Sequence, residues 1–295
     1  MKTAEEQFQR VKRVKDNTRF DVDSLHHYNL YMQIGNSDFQ LCVVAPRENS
    51  CLLIEDFKYD PCYGNDHLYV IDRIFDGHHL LKAGFWNHVR LSVKNRRFNL
   101  IPTSLFLKDH LEDYLSTNSP LYPGEEAYHY YKQGQVKAAN VFAVDNYLLH
   151  FIKETYHNRQ IQILHQGSSF IEGVLKSNDH SHEKSMYLLF DESILHIAVC
   201  RDHQLQFYNQ FPIRHPKEFV RYTMMVIRKM GMDQERDKVL IWGDFQADSD
   251  IFKELYTFIR HVSFGSKPAY LGYNFMFDEV ADHQYFDLLS LHLCD

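Results

Sequence analysis

Nineteen histidines in a chain of 295 residues make metal binding the first chemistry to test. The densest groupings are His26/His27, His78/His79 and the set His180/His182/Glu183. None follows H-E-x-x-H or the Cys/His spacing of a structural zinc site, and adjacent residues on a helix or strand point in different directions. Surface or satisfied half-buried histidines are therefore expected, and no resident metal. The chain also lacks a G-x-S-x-G elbow, a P-loop and a G-x-G-x-x-G turn. Serine hydrolase, Walker-type NTPase and dinucleotide-dependent dehydrogenase thus have no positive support.

Composition narrows the classes further. The hydrophobic share of 44% and charged share of 24% are globular values. The length suffices for two ordinary domains with their own cores. A net charge of −7, from 32 basic and 39 acidic residues, argues against a nucleic-acid partner. The one basic cluster, Arg10, Lys12, Arg13 and Lys15, is expected in a solvated helical or frayed N-terminal segment. Tyrosine and phenylalanine, 19 and 22 in number, are expected to fill cores and half-buried sheet faces. The first sixteen residues have no apolar signal region, and no run approaches the ~18 apolar residues that span a bilayer. Five cysteines without a C-x-x-C, Cys42, Cys51, Cys62, Cys200 and Cys294, are expected as reduced, mostly buried thiols of a cytoplasmic protein.

The positioning elements come in two sets. "LYMQIGNSDFQLCVV" (30–44) and "MYLLFDESILHIAVC" (186–200) align without a gap, bringing Tyr31 onto Tyr187, Ser37 onto Ser193 and Val43 onto Val199. A third apolar segment follows each, 51–57 and 204–211, so each half opens as a three-strand meander. Phe39, Leu41 and Val43, like Leu195, Ile197 and Val199, alternate along second strands and should point inward.

Both halves then change period. Ile71, Ile74, Phe75 and His78 mark one helix face; Phe219, Tyr222, Val226, Ile227 and Met230 mark another. Pro216 suits the first turn of the latter, and Gly231 its end. Strands 88–93 and 238–243 follow. Next come stripes of identical spacing: Leu107, Leu111, Tyr114, Leu115, and Ile251, Leu255, Phe258, Ile259. Thr103 and Ser104, or Asp248 and Ser249, are the expected N-caps. The order strand-strand-strand-helix-strand-helix thus occurs twice. A hairpin over 127–144, a helix over 145–156, a strand over 161–165 and a short helix near 168–175 complete the first half. The implied division is an N-terminal segment 1–25, a first domain 26–175, a linker 176–185 and a second domain 186–295.

This duplicated order, with the "QIGNS" and "FDESI" turns and "IPTSLF" (101–106) before a helix, resembles the ribonuclease H-like unit doubled in the actin-like ATPase superfamily. It is most similar to an uncharacterised family, typical of Bacteroidetes, that has this fold and no known function. Actin homologues of pilus assembly and cell division resemble it more distantly. The resemblance implies an α/β protein of two ribonuclease H-like domains with mixed sheets, facing across a cleft.

In that superfamily each meander turn carries an aspartate at the end of its first strand, then glycine and Ser/Thr. The aspartates hold Mg²⁺ or water, and the glycines let backbone N–H groups approach phosphate. Carried over, the resemblance makes Gln33, Gly35, Asn36 and Ser37 the first phosphate turn, and Asp191, Glu192 and Ser193 the second. Gly243, in "IWGDFQADS" with Asp244, Asp248 and then Asp250, falls where adenosine packs. The pattern departs from the superfamily at both decisive places, because Gln33 and Leu189 occupy the aspartate positions. The second turn has no glycine and presents two carboxylates instead. Nucleases of this fold need a carboxylate cluster around two metals, and its strand-one anchor is absent too.

The resulting expectation is a non-catalytic interaction or scaffold protein with a vestigial nucleotide site and no cofactor. It would bind a protein partner, a homodimer being one form of this. The alternative is a divergent ATP-binding protein, ATPase or kinase-like, that uses ATP with Mg in the cleft.

Overall fold

The computed structural model describes residues 8–60, 66–157, 159–177, 184–243, 245 and 250–295. They group into two compact units: Met1–Ser169, Tyr270–Glu279 and Leu291–Asp295 in the first, Phe170–Ala269 and Val280–Ser290 in the second.

The first unit begins with strands β1 (Phe8–Lys15), β2 (Asn29–Ile34), β3 (Asp38–Ala45) and β4 (Ser50–Tyr59), then helix α1 (Asp66–Gly77) and strand β5 (His88–Val93). There follow β6 (Phe98–Pro102), α2 (Leu111–Ser116), β7 (Glu126–Lys132), β8 (Ala138–Asp145), α3 (Asn146–Thr155) and β9 (Ile161–His165), and then α4 (Gln166–Ser177), which belongs to the second unit from Phe170 on. The main sheet runs β1-β4-β3-β2-β5-β9, and β6-β8-β7 form a separate three-stranded sheet. Every residue of β3 is buried, as expected of a strand covered on both faces.

The second unit holds β10 (Ser185–Asp191), β11 (Ile194–Arg201), β12 (Gln204–Pro212), α5 (Pro216–Lys229), β13 (Lys238–Gly243), α6 (Asp250–Tyr256), β14 (His261–Phe264) and α7 (Phe286–Ser290). Its sheet order is β12-β11-β10-β13-β14, the same path as β4-β3-β2-β5-β9. Registers agree residue by residue. Leu30 pairs Val43 and Met186 pairs Val199; in parallel, Asn29 pairs His88 and Ser185 pairs Lys238. Even the bulge recurs, between Val43 and Val44 in one hairpin and between Val199 and Cys200 in the other. Because side chains alternate with period two, a gapless alignment of two strands keeps every residue on the same face. Phe39, Leu41, Val43, Leu195, Ile197 and Val199 are all 0% exposed, as their alternation predicts. Helix α5 has Pro216 in its first turn, and Gly231, just past its end, has φ 58°, the left-handed conformation expected of a C-terminal glycine.

Four expectations differ from the structure. The basic N-terminal run is a strand, not a helix. β1 pairs antiparallel with β4, and its cations line a sheet edge, where charge discourages further pairing. Its Arg13 Nε lies 2.9 Å from the buried Glu55 Oε1.

The apolar stripe of α2 belongs to an insertion and not to the repeat. Leu115 packs with Ile101, Val141 and Ala143 of the three-stranded sheet, and the helix that precedes β9, as α6 precedes β14, is α3. A stripe records that something covers a helix face, not which sheet does so.

Thr103 and Ser104 lie inside a 3₁₀ turn and cap nothing; His110 occupies the N-cap of α2 without a side-chain bond. Asp248 and Ser249 lie outside the described residues.

The second half is also not continuous with residue 295. Tyr270–Glu279 and Leu291–Asp295 return to the first unit, where Gly272 bridges Ser50 and Arg90 binds Asp295.

Candidate functional site

The first turn follows directly from its strands. Ile34 pairs Phe39, and Gly35 N–H donates to the Asp38 carbonyl at 2.9 Å, closing the loop over Asn36 and Ser37. Tyr59 then locks it: its hydroxyl shares its one proton between the Gly35 and Asp38 carbonyls, each 2.8 Å away, and its N–H donates to the Ser37 carbonyl at 2.9 Å. Gln33, one residue before the strand end, is 0% exposed, between Gln40 of β3 and Ser92 of β5.

Beside this turn lies a cavity of about 290 Å³, lined by Gly35, Asn36, Lys94, Arg97, Tyr122 and Glu126 among others. It sits past the C-terminal ends of parallel strands β2 and β5, where ligands of open α/β sheets bind. Both of its cations are held by carboxylates. Lys94 Nζ is 2.7 Å from Asp38 Oδ2 and 3.3 Å from Gln40 Oε1, and Lys58 Nζ is 3.2 Å from the same Asp38 oxygen. Arg97 makes a bidentate pair with Glu126, one bond being Nη2 to Oε1 at 2.7 Å, and lies 4.7 Å from the Tyr122 ring centre. Glu125 and Asp145 add two more carboxylates to the lining, and Asp145 caps α3 through the N–H groups of Tyr147 and Leu148. A wall of two cations and three carboxylates suits a polar ligand of mixed charge better than a polyanion.

In the second unit the corresponding turn has the same length. Asp191 pairs Ile194, leaving only Glu192 and Ser193 to reverse the chain, at φ 45° and 66°. These are the positive values of a type I′ hairpin, adopted here without glycine. Asp191 and Glu192 are half-buried and Ser193 is exposed. Leu189 is 2% exposed and pairs His196 and Trp242 inside the sheet.

Gly243, opposite Phe190 in the register, has φ 127°, and a Cβ there would fall 2.2 Å from the Phe190 carbonyl oxygen. The close passage of two backbones is therefore reason enough for this glycine. Asp244 and Asp248 lie outside the described residues. Asp250 is exposed at the start of α6, 3.9 Å from Lys253.

The structure thus gathers Gly35 and Asn36 on one cavity wall, and sets the Asp191 turn beside Gly243. Gln33 is buried within its sheet. Asp38, Lys94, Arg97 and Glu126 were not singled out by sequence. The one signal they gave is a charge at the edge of an apolar strand, as at Asp38 before "FQLCVV" and Lys94 after "LSV".

His78 does structural work. His78 Nδ1 accepts from the Leu80 and Leu81 N–H groups, and its Nε2 lies 2.8 Å from Glu55. The set His180/His182/Glu183, like Cys62, lies outside the described residues. Among the described residues no group of three or more His, Cys, Asp or Glu could hold a metal ion. Cys42, Cys51, Cys200 and Cys294 are buried free thiols.

A second cavity, of about 750 Å³, opens at the other end of the first sheet, where β2, β5 and β9 begin. Tyr31 hydroxyl stands 3.1 Å from His292 Nδ1 and accepts from Asn29 at 3.0 Å; burial pushes its pKa up to about 12. Arg90 binds Gln162, the Leu291 and His292 carbonyls and Asp295, holding the last residues against the sheet. Its donors are committed to this clasp.

Comparison with known proteins places this geometry. A family described as "Protein of unknown function (DUF3822)" matches residues 16–262. No curated protein matches the chain. A solved protein of Bacteroides thetaiotaomicron, with an actin-like ATPase fold and unknown function, superposes with a TM-score of 0.80 at 18% identity, over 94% of this chain and 99% of that one. A chain of the PilM–PilN type IV pilus biogenesis complex superposes with a TM-score of 0.57 at 10% identity, over 90% of this chain and 97% of that one. The fold is that of the actin-like ATPases. No described helix is long and apolar enough to cross a membrane.

Proposed function

Because this chain belongs to the DUF3822 family and has the actin-like ATPase fold, we propose that it is a non-catalytic interaction protein that keeps the frame without the nucleotide chemistry. One observation carries this reading: Gln33 and Leu189, at the two positions where the fold places its carboxylates, are uncharged and buried at 0% and 2% exposure. Mg²⁺ requires hard oxygen ligands, usually carboxylates, and phosphoryl transfer depends on its charge. An amide and an isobutyl group supply neither. The donor set at the two turns does not fit a Mg-triphosphate, and no hydrolytic step is derived for it.

The second turn supports the same reading. Glu192 and Ser193 reverse the chain without a glycine, and Asp191 and Glu192 add two carboxylates that disfavour a phosphate there. For partner binding the support is fold-level analogy: a chain of the PilM–PilN complex shares this architecture.

Lys94 and Arg97 beside Gly35 and Asn36 favour a second reading, a divergent ATP-binding protein. Thermal unfolding with and without millimolar Mg-ATP, together with phosphate release, decides between them. The expected result is no shift and hydrolysis at background. A ligand at a hundred times its Kd adds about 2.7 kcal/mol, seen as several degrees. A shift of that size, abolished by Gly35→Val, would replace the interaction reading with the ATP-binding one.

A further inference from the structure

The outer face of α5 carries a groove that the fold itself does not need. The inner face of this helix, Phe219, Val220, Val226 and Ile227, is buried in the core of the second unit. On the other side a cavity of about 830 Å³ runs between α5 and the end of α6, with Met224, Met225 and Phe258 on its walls. Met225 is 48% exposed and Phe258 47%, large apolar groups left in water. Methionine adapts its shape to different partners and recurs on binding surfaces.

The rim is cationic. Lys217, Arg221, Arg228 and Lys229 border the groove, against Glu254 alone among acidic lining residues, on a chain whose net charge is −7. Arg228 and Lys229 stand in the last turn of α5, where the helix dipole favours cations. Lys217 stands in the first turn, where the dipole disfavours one. Arg221 leans 3.4 Å from Glu218, yet 63% of its side chain is exposed. Helix electrostatics therefore do not account for a rim that is basic from end to end.

We propose that this groove docks an acidic amphipathic segment of a partner protein, with its apolar side chains on Met224, Met225 and Phe258 and its carboxylates on the four cations. Residues 217, 221, 224 and 228 lie along one line of the helix, so the complementary segment is a helix with anchors at i, i+3 or i+4, and i+7. A concave groove favours a peptide over a bilayer surface, which would need apolar groups standing proud of the rim. The inference deepens the reading as an interaction protein and rests on residues that play no part in the nucleotide argument.

The test is fluorescence anisotropy on the full chain with a labelled Glu-rich peptide of about 14 residues that carries leucines at helical spacing. Binding that weakens with salt, and at least about tenfold in Arg221→Glu/Arg228→Glu, a loss of about 1.4 kcal/mol, is expected. Met225→Glu should weaken it similarly. These side chains are exposed, so circular dichroism should show the variants folded. Equal binding of a Lys-for-Glu peptide, or indifference to the double charge reversal, would overturn the proposal. So would a concentration-dependent dimer abolished by Met225→Glu, or tighter Arg-dependent retention on phosphatidylserine vesicles. Mg-ATP binding alone would sink only the non-catalytic reading and leave this result standing.

Discussion

Lys94 Nζ stands 2.7 Å from Asp38 Oδ2, with side-chain exposures of 4% and 0%, immediately behind the first meander turn. A buried ion pair owes little to Coulomb attraction alone, since both charges are desolvated, and removing Lys94 leaves the buried Asp38 with only the part-exposed Lys58, at 3.2 Å, as its counterion. Lys94→Met should therefore destabilise the protein by about 1–3 kcal/mol in urea unfolding, and the double change Lys94→Met/Asp38→Asn by clearly less than the sum of the two single changes. A double-change loss equal to the sum of the Lys94→Met and Asp38→Asn losses would mean that the two side chains act independently.

Leu41 and Ile197 occupy equivalent places in the two second strands, both 0% exposed. Leu41→Ala and Ile197→Ala should each cost about 2–5 kcal/mol. Losses below about 1 kcal/mol would contradict full burial.

Gly243 should be intolerant of any side chain, whatever binds nearby. Gly243→Ala places a Cβ 2.2 Å from the Phe190 carbonyl oxygen at φ 127°. A destabilisation of at least about 1–3 kcal/mol should appear without any nucleotide present. For that reason Gly35, and not Gly243, is the position at which to probe phosphate binding.

His165 gives the protein an acid-sensitive core. Its Nδ1 accepts from the Gly167 N–H at 3.0 Å and its Nε2 donates to the Asn95 carbonyl at 2.9 Å. Burial lowers its pKa to about 4. The unfolded chain, with a histidine near the ordinary value of about 6.5, binds the extra proton first, so stability should fall as pH drops from about 6.5 to about 4. Chemical denaturation at stepped pH should show this slope, and His165→Gln should flatten it. An unchanged slope would mean that other groups carry the acid sensitivity.

The repeat was legible because hairpin register depends on local period. Tyr31 and Tyr187, with no gap between their flanking segments, preserve both facing and pairing, down to the shared bulge. The basic run Arg10–Lys15 was not legible, because its Val11 and Val14 do not alternate and its strand state depends on the free edge of β4. Nor was the insertion, since the stripe of α2 is the same whichever sheet covers it.

By itself, then, the sequence determined the two meanders and most of their core, both properties of neighbours a few residues apart. Only the tertiary structure decided which distant charges meet. Asp38 and Lys94 lie 56 positions apart, and Arg90 and Asp295 lie 205 apart. Their pairing follows from strand order and from the return of the last residues to the first unit. It likewise set four cations of α5 along one groove beside Phe258. Coulomb and contact energies depend on distance in space, and only the packed sheets and helices convert sequence separation into that distance.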